Sequence, residues 1–190
     1  LGSPQGYVKR QVEGWTKRYY NARTDDVPSI ERLADWLQQN LPADSERPAL
    51  IHNDYKYDNL VLAPEDLARV IAVLDWEMAT IGDPLMDFGT SLAYWVEATD
   101  PEEWQRYGFG LTSLPGSFTR TELLERYVQR TGRKIDDPVF YFVYGLLKIA
   151  VIVQQIYFRY QKGLTRDPRF AQLGALVKAC GALGSRAIEL

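Results

Sequence analysis

The sequence predicts an α+β fold that is mostly α, with a small β-hairpin near its middle. Most of the chain divides into segments that begin at a capping residue or a proline and end at a glycine or before a proline, as helices do. Two short apolar runs of β type, residues 59–62 and 69–74, are joined by a Pro-Glu-Asp turn. Such a pair predicts a hairpin within an otherwise helical molecule.

Length and composition fit one domain or a large piece of one. The 190 residues are 46% hydrophobic and 13% aromatic, which is enough for a proper core. The net charge of −3 does not indicate a nucleic-acid-binding protein. Cys180 is the single cysteine, which excludes an internal disulfide and suits a reducing compartment. No signal peptide opens the sequence, so we expect a cytoplasmic protein that does not bind membranes.

Two helices are predicted before the hairpin. The first covers residues 4–21 and carries an apolar stripe that should lie in the core. The stripe consists of Val8, Val12, Trp15 and Tyr19. The second covers residues 30–40, with Ser29 as its cap. A short strand over residues 49–52 should then lead into a polar loop.

Helix-start residues predict five later helices. They cover residues 83–97, 100–107, 120–131, 137–162 and 168–188. Thr119 and Glu122 should form a capping box for the third. Residues 78–82 are predicted to be a loop, and residues 108–117, with three glycines, to be the most mobile one.

The long apolar segment after residue 138 raises the question of a membrane span. Its most apolar run, residues 139–158, is interrupted by Lys148 and by the pair Gln154 and Gln155. A buried core helix explains this pattern better than a membrane-spanning one.

Residues 52–59 and Asp75 together suit phosphoryl transfer. Asn59 begins one hairpin strand and Asp75 follows the other, so both should lie at the same end of the hairpin. A neutral and an anionic oxygen are suitable ligands for Mg²⁺. Asp54 can accept a proton from a hydroxyl, and Lys56 can act as a point charge for a phosphoryl group. These are the groups that phosphoryl transfer requires.

This region resembles the aminoglycoside phosphotransferase and choline kinase-like family, whose members have the protein-kinase fold. Three motifs carry the resemblance: HNDYKYDN from His52, VLDWE ending at Glu77, and GDPLMD ending at Asp87. Three ordered motifs within 36 residues make a specific signal. The Asp-Trp-Glu and Gly-Asp-Pro-Leu runs are most similar to the branch that occurs beside, or fused to, acyl-CoA dehydrogenases.

The resemblance implies a role for each site residue. Asp54 would be the catalytic base, and Asn59 and Asp75 would hold Mg²⁺ with ATP. His52 and Asp87 would brace the loop. The family usually has glycine where this chain has Asn53, and asparagine tolerates a positive φ better than most residues.

The resemblance also implies that residues 1–190 are the C-terminal lobe of a two-lobed domain. The residues before the loop contain no glycine-rich loop between strands and are predicted to be helical, so the N-terminal nucleotide-binding lobe is absent. We expect such a lobe to be inactive alone and to form a homodimer through the surface that the other lobe would cover.

The predicted function is ATP-dependent phosphorylation of a small-molecule hydroxyl. Residues 1–137 carry 15 basic and 23 acidic side chains, and residues 138–190 carry 7 and 2, giving net charges of −8 and +5. A basic C-terminal third favours an anionic acceptor such as a hydroxyacyl-CoA over an aminoglycoside. An ordinary basic surface exposed to solvent would give the same charge distribution.

Two other functions are compatible with parts of the pattern. A non-catalytic kinase-like binding or regulatory module would have the same fold, but the presence of all three base and metal residues disfavours it. A metal-dependent hydrolase is disfavoured because Asp54 and Asp75 are separated and no metal-binding histidines accompany them.

Overall fold

The structure is a computed structural model that describes residues 2–108 and 110–189. Within those ranges the chain forms α-helices and short β-strands. The helices are α1 (Tyr7–Ala22), α2 (Pro28–Gln39), α3 (Pro84–Tyr94), α4 (Glu102–Gln105), α5 (Arg120–Thr131), α6 (Pro138–Gln161) and α7 (Leu173–Ala187). The strands are β1 (Ala49–Ile51), β2 (Leu60–Ala63), β3 (Asp66–Val73) and β4 (Thr80–Gly82). The predicted class, α+β and mostly α, is confirmed.

The core lies around α6, which packs against α1, α2, α3 and α7. The predicted apolar stripe of α1 is buried in this core. Among the described residues, α6 is the one helix long and apolar enough to cross a membrane, yet 72% of its most apolar window is buried inside the molecule. The observed burial agrees with the prediction of a core helix.

Helix α3 approaches α6 so closely that glycine is needed on both sides. A Cβ atom on Gly89 would lie 2.3 Å from the carbonyl oxygen of Tyr141, and one on Gly145 would lie 2.5 Å from the carbonyl oxygen of Gly89. These distances are far below normal contact, so the missing side chains set the helix spacing. This packing fixes α3, which carries Asp87, against the helix that carries Lys148.

The four strands form two separate antiparallel pairs. Strands β2 and β3 form the predicted hairpin, with Leu60 opposite Val73. Strand β4 pairs with β1, with Leu50 opposite Ile81. The prediction that residues 78–82 form a loop is therefore wrong. A three-residue strand is too short to show an alternating pattern, and its partner lies about thirty residues earlier.

Helix boundaries agree with the sequence where a capping group is present. The Thr119–Glu122 capping box and helix α5 are confirmed. Ser29 does not cap α2, because the helix already begins at Pro28. Ser29 lies instead where a side chain on Gly181 of α7 would be.

Two other segments differ from their predictions. Residues 168–172 form a 3₁₀ turn, and the last α-helix begins only after it. The predicted mobile loop, residues 108–117, includes Phe109, which lies outside the described residues.

Candidate active site

The polar loop after β1 turns at Asn53, whose φ is 68°. The left-handed conformation that glycine would allow is therefore present, and asparagine adopts it. The Asn53 side chain also makes contacts that glycine cannot make. Its Nδ2 donates to the carbonyl oxygen of Met78 at 2.9 Å, and its Oδ1 accepts from the Tyr7 hydroxyl at 3.1 Å.

Asp87 holds the backbone of this loop. Its two carboxylate oxygens accept from the backbone N–H groups of His52 and Asn53, each at 2.8 Å. Asp87 lies in the first turn of α3, so the predicted contact from this helix to the loop is confirmed. Asp83 caps the same helix by accepting from the Leu85 N–H at 2.9 Å, and burial raises the pKa of its carboxyl.

His52 links the loop to the end of β3. Its Nδ1 accepts from the Asp54 N–H at 3.2 Å, and its Nε2 lies 2.7 Å from the carbonyl oxygen of Leu74. A ring that accepts at Nδ1 and donates at Nε2 is a neutral imidazole. The ring is buried and lies 4.7 Å from the Trp76 ring. These contacts suit a bracing role, since they hold Asp54 near the residue before Asp75.

Several donors converge on the Asp54 carboxylate. Its Oδ2 lies 2.9 Å from Lys56 Nζ and accepts from Asn59 Nδ2 at 3.1 Å. The same amide nitrogen donates to the Asp54 carbonyl oxygen at 2.8 Å. Tyr94 also hydrogen-bonds with Asp54, and its pKa is raised, first by burial and then by the Asp54 charge. The carboxylate is thus held in one orientation with 17% of the side chain exposed.

Lys56 makes a contact that the sequence did not predict. Its ammonium is paired with Asp54 and lies 5.0 Å from the Tyr94 ring centroid. The contact of Lys56 with a phosphoryl group stays a prediction. Because the Lys56 side chain remains 23% exposed, one ammonium can contact Asp54 and still offer donors to an incoming anion.

Asn59 and Asp75 lie at one end of the hairpin, as predicted. The N–H of Leu74, just before Asp75, donates to the Asn59 carbonyl oxygen at 2.8 Å. The amide nitrogen of Asn59 is used on Asp54, so its Oδ1 is the atom that can bind a cation. Asp75 is exposed, in a left-handed conformation with φ 63°, and its side chain makes no capping hydrogen bond.

The side-chain oxygens of Asn59 and Asp75 fit a Mg²⁺ ion. The described residues contain no group of three or more His, Cys, Asp or Glu side chains that could hold a metal alone. Mg²⁺ is commonly bound by one or two protein oxygens, with phosphates and waters completing the octahedron. One amide oxygen and one carboxylate, as Asn59 and Asp75 offer, match that pattern.

The structure adds Lys148, which the sequence showed only as an interruption of an apolar run. Its ammonium donates to the carbonyl oxygen of Asn53, and the residue is 2% exposed. Burial lowers the pKa of Lys148 to about 8, and the charges of Asp87 and Asp54 oppose that shift. A lysine in the middle of an apolar helix was the available signal, because a buried ammonium needs a partner.

Known proteins share both the sequence and the fold. A profile of the phosphotransferase enzyme family matches residues 1–124. Acyl-CoA dehydrogenase family member 10 of Mus musculus is 36% identical over 185 residues, covering 96% of this chain and 17% of that protein. Acyl-CoA dehydrogenase family member 11 of Homo sapiens is 39% identical over 165 residues, covering 85% of this chain and 21% of that protein.

A solved structure gives the same result. The crystal structure of a "putative aminoglycoside phosphotransferase" from Ralstonia eutropha JMP134 superimposes with a TM-score of 0.85 and 33% identity, covering 99% of this chain and 57% of the other. The chain therefore spans about a fifth of the curated relatives and little more than half of the solved one. Taken with the kinase-like fold, the profile match over residues 1–124 shows that this chain belongs to the phosphotransferase enzyme family.

Proposed function

We propose that this chain forms the acceptor-side lobe of an ATP-dependent phosphotransferase that phosphorylates a hydroxyl group of a small molecule. The observation that carries the proposal is the environment of Asp54. Asn59 and Lys56 contact its carboxylate while Asp87 holds the backbone just before it. A carboxylate fixed in this way suits a group that orients a hydroxyl and accepts its proton.

Asn59 and Asp75 are the proposed ligands of Mg²⁺. A bound Mg²⁺ would neutralise charge on the ATP phosphates during transfer. Asn59 can join the two proposed centres, because its Nδ2 donates to Asp54 while its Oδ1 remains available to a cation. Through Asn59, the position of the base would depend on the position of the cation.

An anionic acceptor, such as a hydroxyacyl-CoA, is the proposed substrate class. Two observations support it: residues 138–190 carry a net charge of +5, and the two relatives described above are named acyl-CoA dehydrogenase family members. The solved relative is named for aminoglycosides, which are cationic and would favour an acidic pocket.

The nucleotide is proposed to bind between this lobe and a second lobe outside residues 1–190. In kinases the covering glycine-rich loop and the phosphate-binding lysine belong to that second lobe. The solved relative has additional chain beyond the part that matches, which supports a two-lobed arrangement. We propose a cytoplasmic location, in line with the single buried cysteine.

Replacing Asp54 in the whole protein tests the proposal. Asp54→Asn keeps the shape but removes the base, so kcat should fall about 10²- to 10⁴-fold. Affinity for Mg·ATP should change little, because Asp54 contacts the acceptor. Steady-state kinetics and nucleotide titration measure the two effects.

Asp58→Asn is the matched control, since Asp58 is an exposed acidic residue of the same loop. It should retain wild-type kcat. An Asp54→Asn variant that also retained wild-type kcat would show that Asp54 is not the base.

A further inference from the structure

A polar cavity borders the polar loop and is lined by residues of α1 and α6. Its volume is about 480 Å³. Its lining includes Asn53, the residue directly before Asp54, and Gln155, two helical turns beyond Lys148. The cavity thus shares a wall with the loop that carries the proposed base.

The charged side chains of the cavity are all basic. Arg10, Arg18 and Lys148 line it, and no aspartate or glutamate is among the described residues of its lining. The two arginines are exposed at the mouth, and Lys148 is buried. A concave site with charges of one sign concentrates ions of the other sign.

The arginines are held in place at the mouth. The Arg18 guanidinium lies 4.7 Å from the Trp15 ring centroid. Arg10 donates to the carbonyl oxygens of Ser3 and Gln5. Donors that are already ordered lose less entropy on binding a ligand.

Lys148 lacks a counter-ion among the described residues. Among those residues its one hydrogen-bond acceptor is the Asn53 carbonyl oxygen, and the Trp15 ring centroid lies 5.8 Å from its Nζ. The nearest carboxylates are already engaged, Asp87 by two backbone N–H groups and Asp54 by Lys56 and Asn59. An ammonium has three donors, so two of the Lys148 donors can serve a ligand. A buried cation without a counter-ion is unfavourable, and an anion in the cavity would relieve that cost.

We propose that this cavity binds an oxyanion, a carboxylate or a phosphate group, with Lys148 as its main cation and Arg18 closing the mouth. The inference rests on the proposed function in one respect: the oxyanion belongs to the acceptor whose hydroxyl Asp54 orients. Lys148 also donates to the Asn53 carbonyl oxygen, which belongs to the peptide group between Asn53 and Asp54. An anion bound to Lys148 would therefore lie one peptide group from Asp54.

Calorimetry on the 190-residue chain, without nucleotide or Mg²⁺, tests the cavity directly. Butyrate and butyl phosphate supply the two oxyanions, and butyramide is the neutral analogue of butyrate. At pH 7 at least one anion should bind tenfold or more tightly than butyramide. Lys148→Met should weaken that binding at least tenfold, and Arg18→Gln several-fold.

Lys17→Gln is the matched control for Arg18→Gln. Lys17 is the exposed neighbour of Arg18 on α1 and does not line the cavity. Its replacement changes the net charge by the same amount and should leave anion affinity unchanged. An equal loss in both variants would indicate a general charge effect and would overturn the proposed site.

The pH dependence isolates Lys148 from the arginines. Butyrate stays ionised between pH 7 and 9, whereas the Lys148 ammonium loses its proton as the pH passes about 8. Butyrate affinity should therefore fall across this range in the wild type and stay level in Lys148→Arg. The groups facing Lys148 from the neighbouring elements are Asp87, Asp54, Lys56, Tyr7, Arg10 and Arg18. Burial raises the pKa of Tyr7 to about 12, so Tyr7 does not titrate in this range.

Two results would overturn the inference: butyramide binding as tightly as both anions, or a folded Lys148→Met variant with unchanged anion affinity. If Lys148→Met does not fold, unchanged affinity in Arg18→Gln together with a flat pH profile would have the same meaning. Normal anion binding in a whole protein without phosphotransferase activity would refute the proposed function and leave the cavity site intact.

Discussion

At the scale of single residues, Asp54 and Asp75 differ in how their carboxylates are occupied. Asp54 is contacted by Lys56, Asn59 and Tyr94. Asp75 is exposed and makes no capping hydrogen bond. The first carboxylate is oriented before any ligand arrives, and the second is available to a cation. This difference agrees with the proposed division between base and metal ligand.

Replacing the proposed metal ligands should weaken Mg²⁺-dependent nucleotide binding in the whole protein. Asp75→Asn should have the larger effect because it removes a charge, and Asn59→Ala the smaller one. Titrating Mg·ATP against each variant measures the loss. Glu65→Gln, at the opposite end of the hairpin, is the control for a lost negative charge. Unchanged binding in both site variants would remove the metal site from the proposal.

At the scale of elements, helix α3 positions the loop through Asp87. Asp87 accepts hydrogen bonds from the backbone N–H groups of His52 and Asn53, which are only 3% and 7% exposed. Water therefore cannot easily replace the carboxylate. Helix α3 is itself fixed, since Gly89 lies in contact with α6.

Asp87→Ala should destabilise the fold at least as much as it impairs turnover. Each buried N–H group left without an acceptor costs about 1–3 kcal/mol. Thermal unfolding of the variant should show a clearly lower Tm, whereas Asp35→Ala, at an exposed position of α2, should not. A wild-type Tm combined with lost activity would make Asp87 a direct participant in the reaction.

Gly145→Ala should separate α3 from α6. The new methyl group would lie 2.5 Å from the Gly89 carbonyl oxygen and 2.8 Å from Ala93 Cβ, and overpacking of this kind costs about 1–3 kcal/mol. Chemical denaturation measures the loss. Gly14→Ala is the control, because its methyl group would approach only the flexible end of Arg18. That change should be neutral or stabilising by up to about 1 kcal/mol. Equal stability of the two variants would contradict the close packing.

At the scale of the whole molecule, strand β3 and the residues directly after it leave apolar side chains uncovered. Leu67, Ile71 and Leu74 are 71%, 54% and 50% exposed. Trp76 is exposed beside them. An exposed apolar patch of this kind indicates a surface that another protein part covers. We propose that a nucleotide-binding lobe covers it in the whole protein and that a second copy covers it in the 190-residue chain alone.

The 190-residue chain should therefore self-associate through β3. Ile71→Lys should shift it to monomer, because an exposed lysine opposes edge and face pairing. Sedimentation velocity measures the mass in solution. Leu164→Lys is the control, since Leu164 is 67% exposed but lies between α6 and α7. A wild-type chain that is monomeric at high concentration would refute this prediction.

The same chain should bind Mg·ATP only weakly, which calorimetry can check.

Much of the fold could be predicted from local sequence signals. The α1 stripe, the capping box of α5, the Pro start of α6 and the hairpin are short-range features. Each depends on residues within a few positions of one another, and their physics operates in any fold. The positive φ of Asn53 was indicated by the glycine that the family usually has at this position, and asparagine tolerates that conformation.

The remaining features depend on residues far apart in the chain. Strand β4 exists because β1 lies beside it, and Ser29 occupies the space that Gly181 leaves on another helix. Lys148 reaches the Asn53 carbonyl oxygen across 95 residues. No local pattern encodes such a contact, because the energy of a buried ammonium depends on what the folded chain places around it. The motif residues can be identified from the sequence. The cavity beside them exists only because α1 packs against α6.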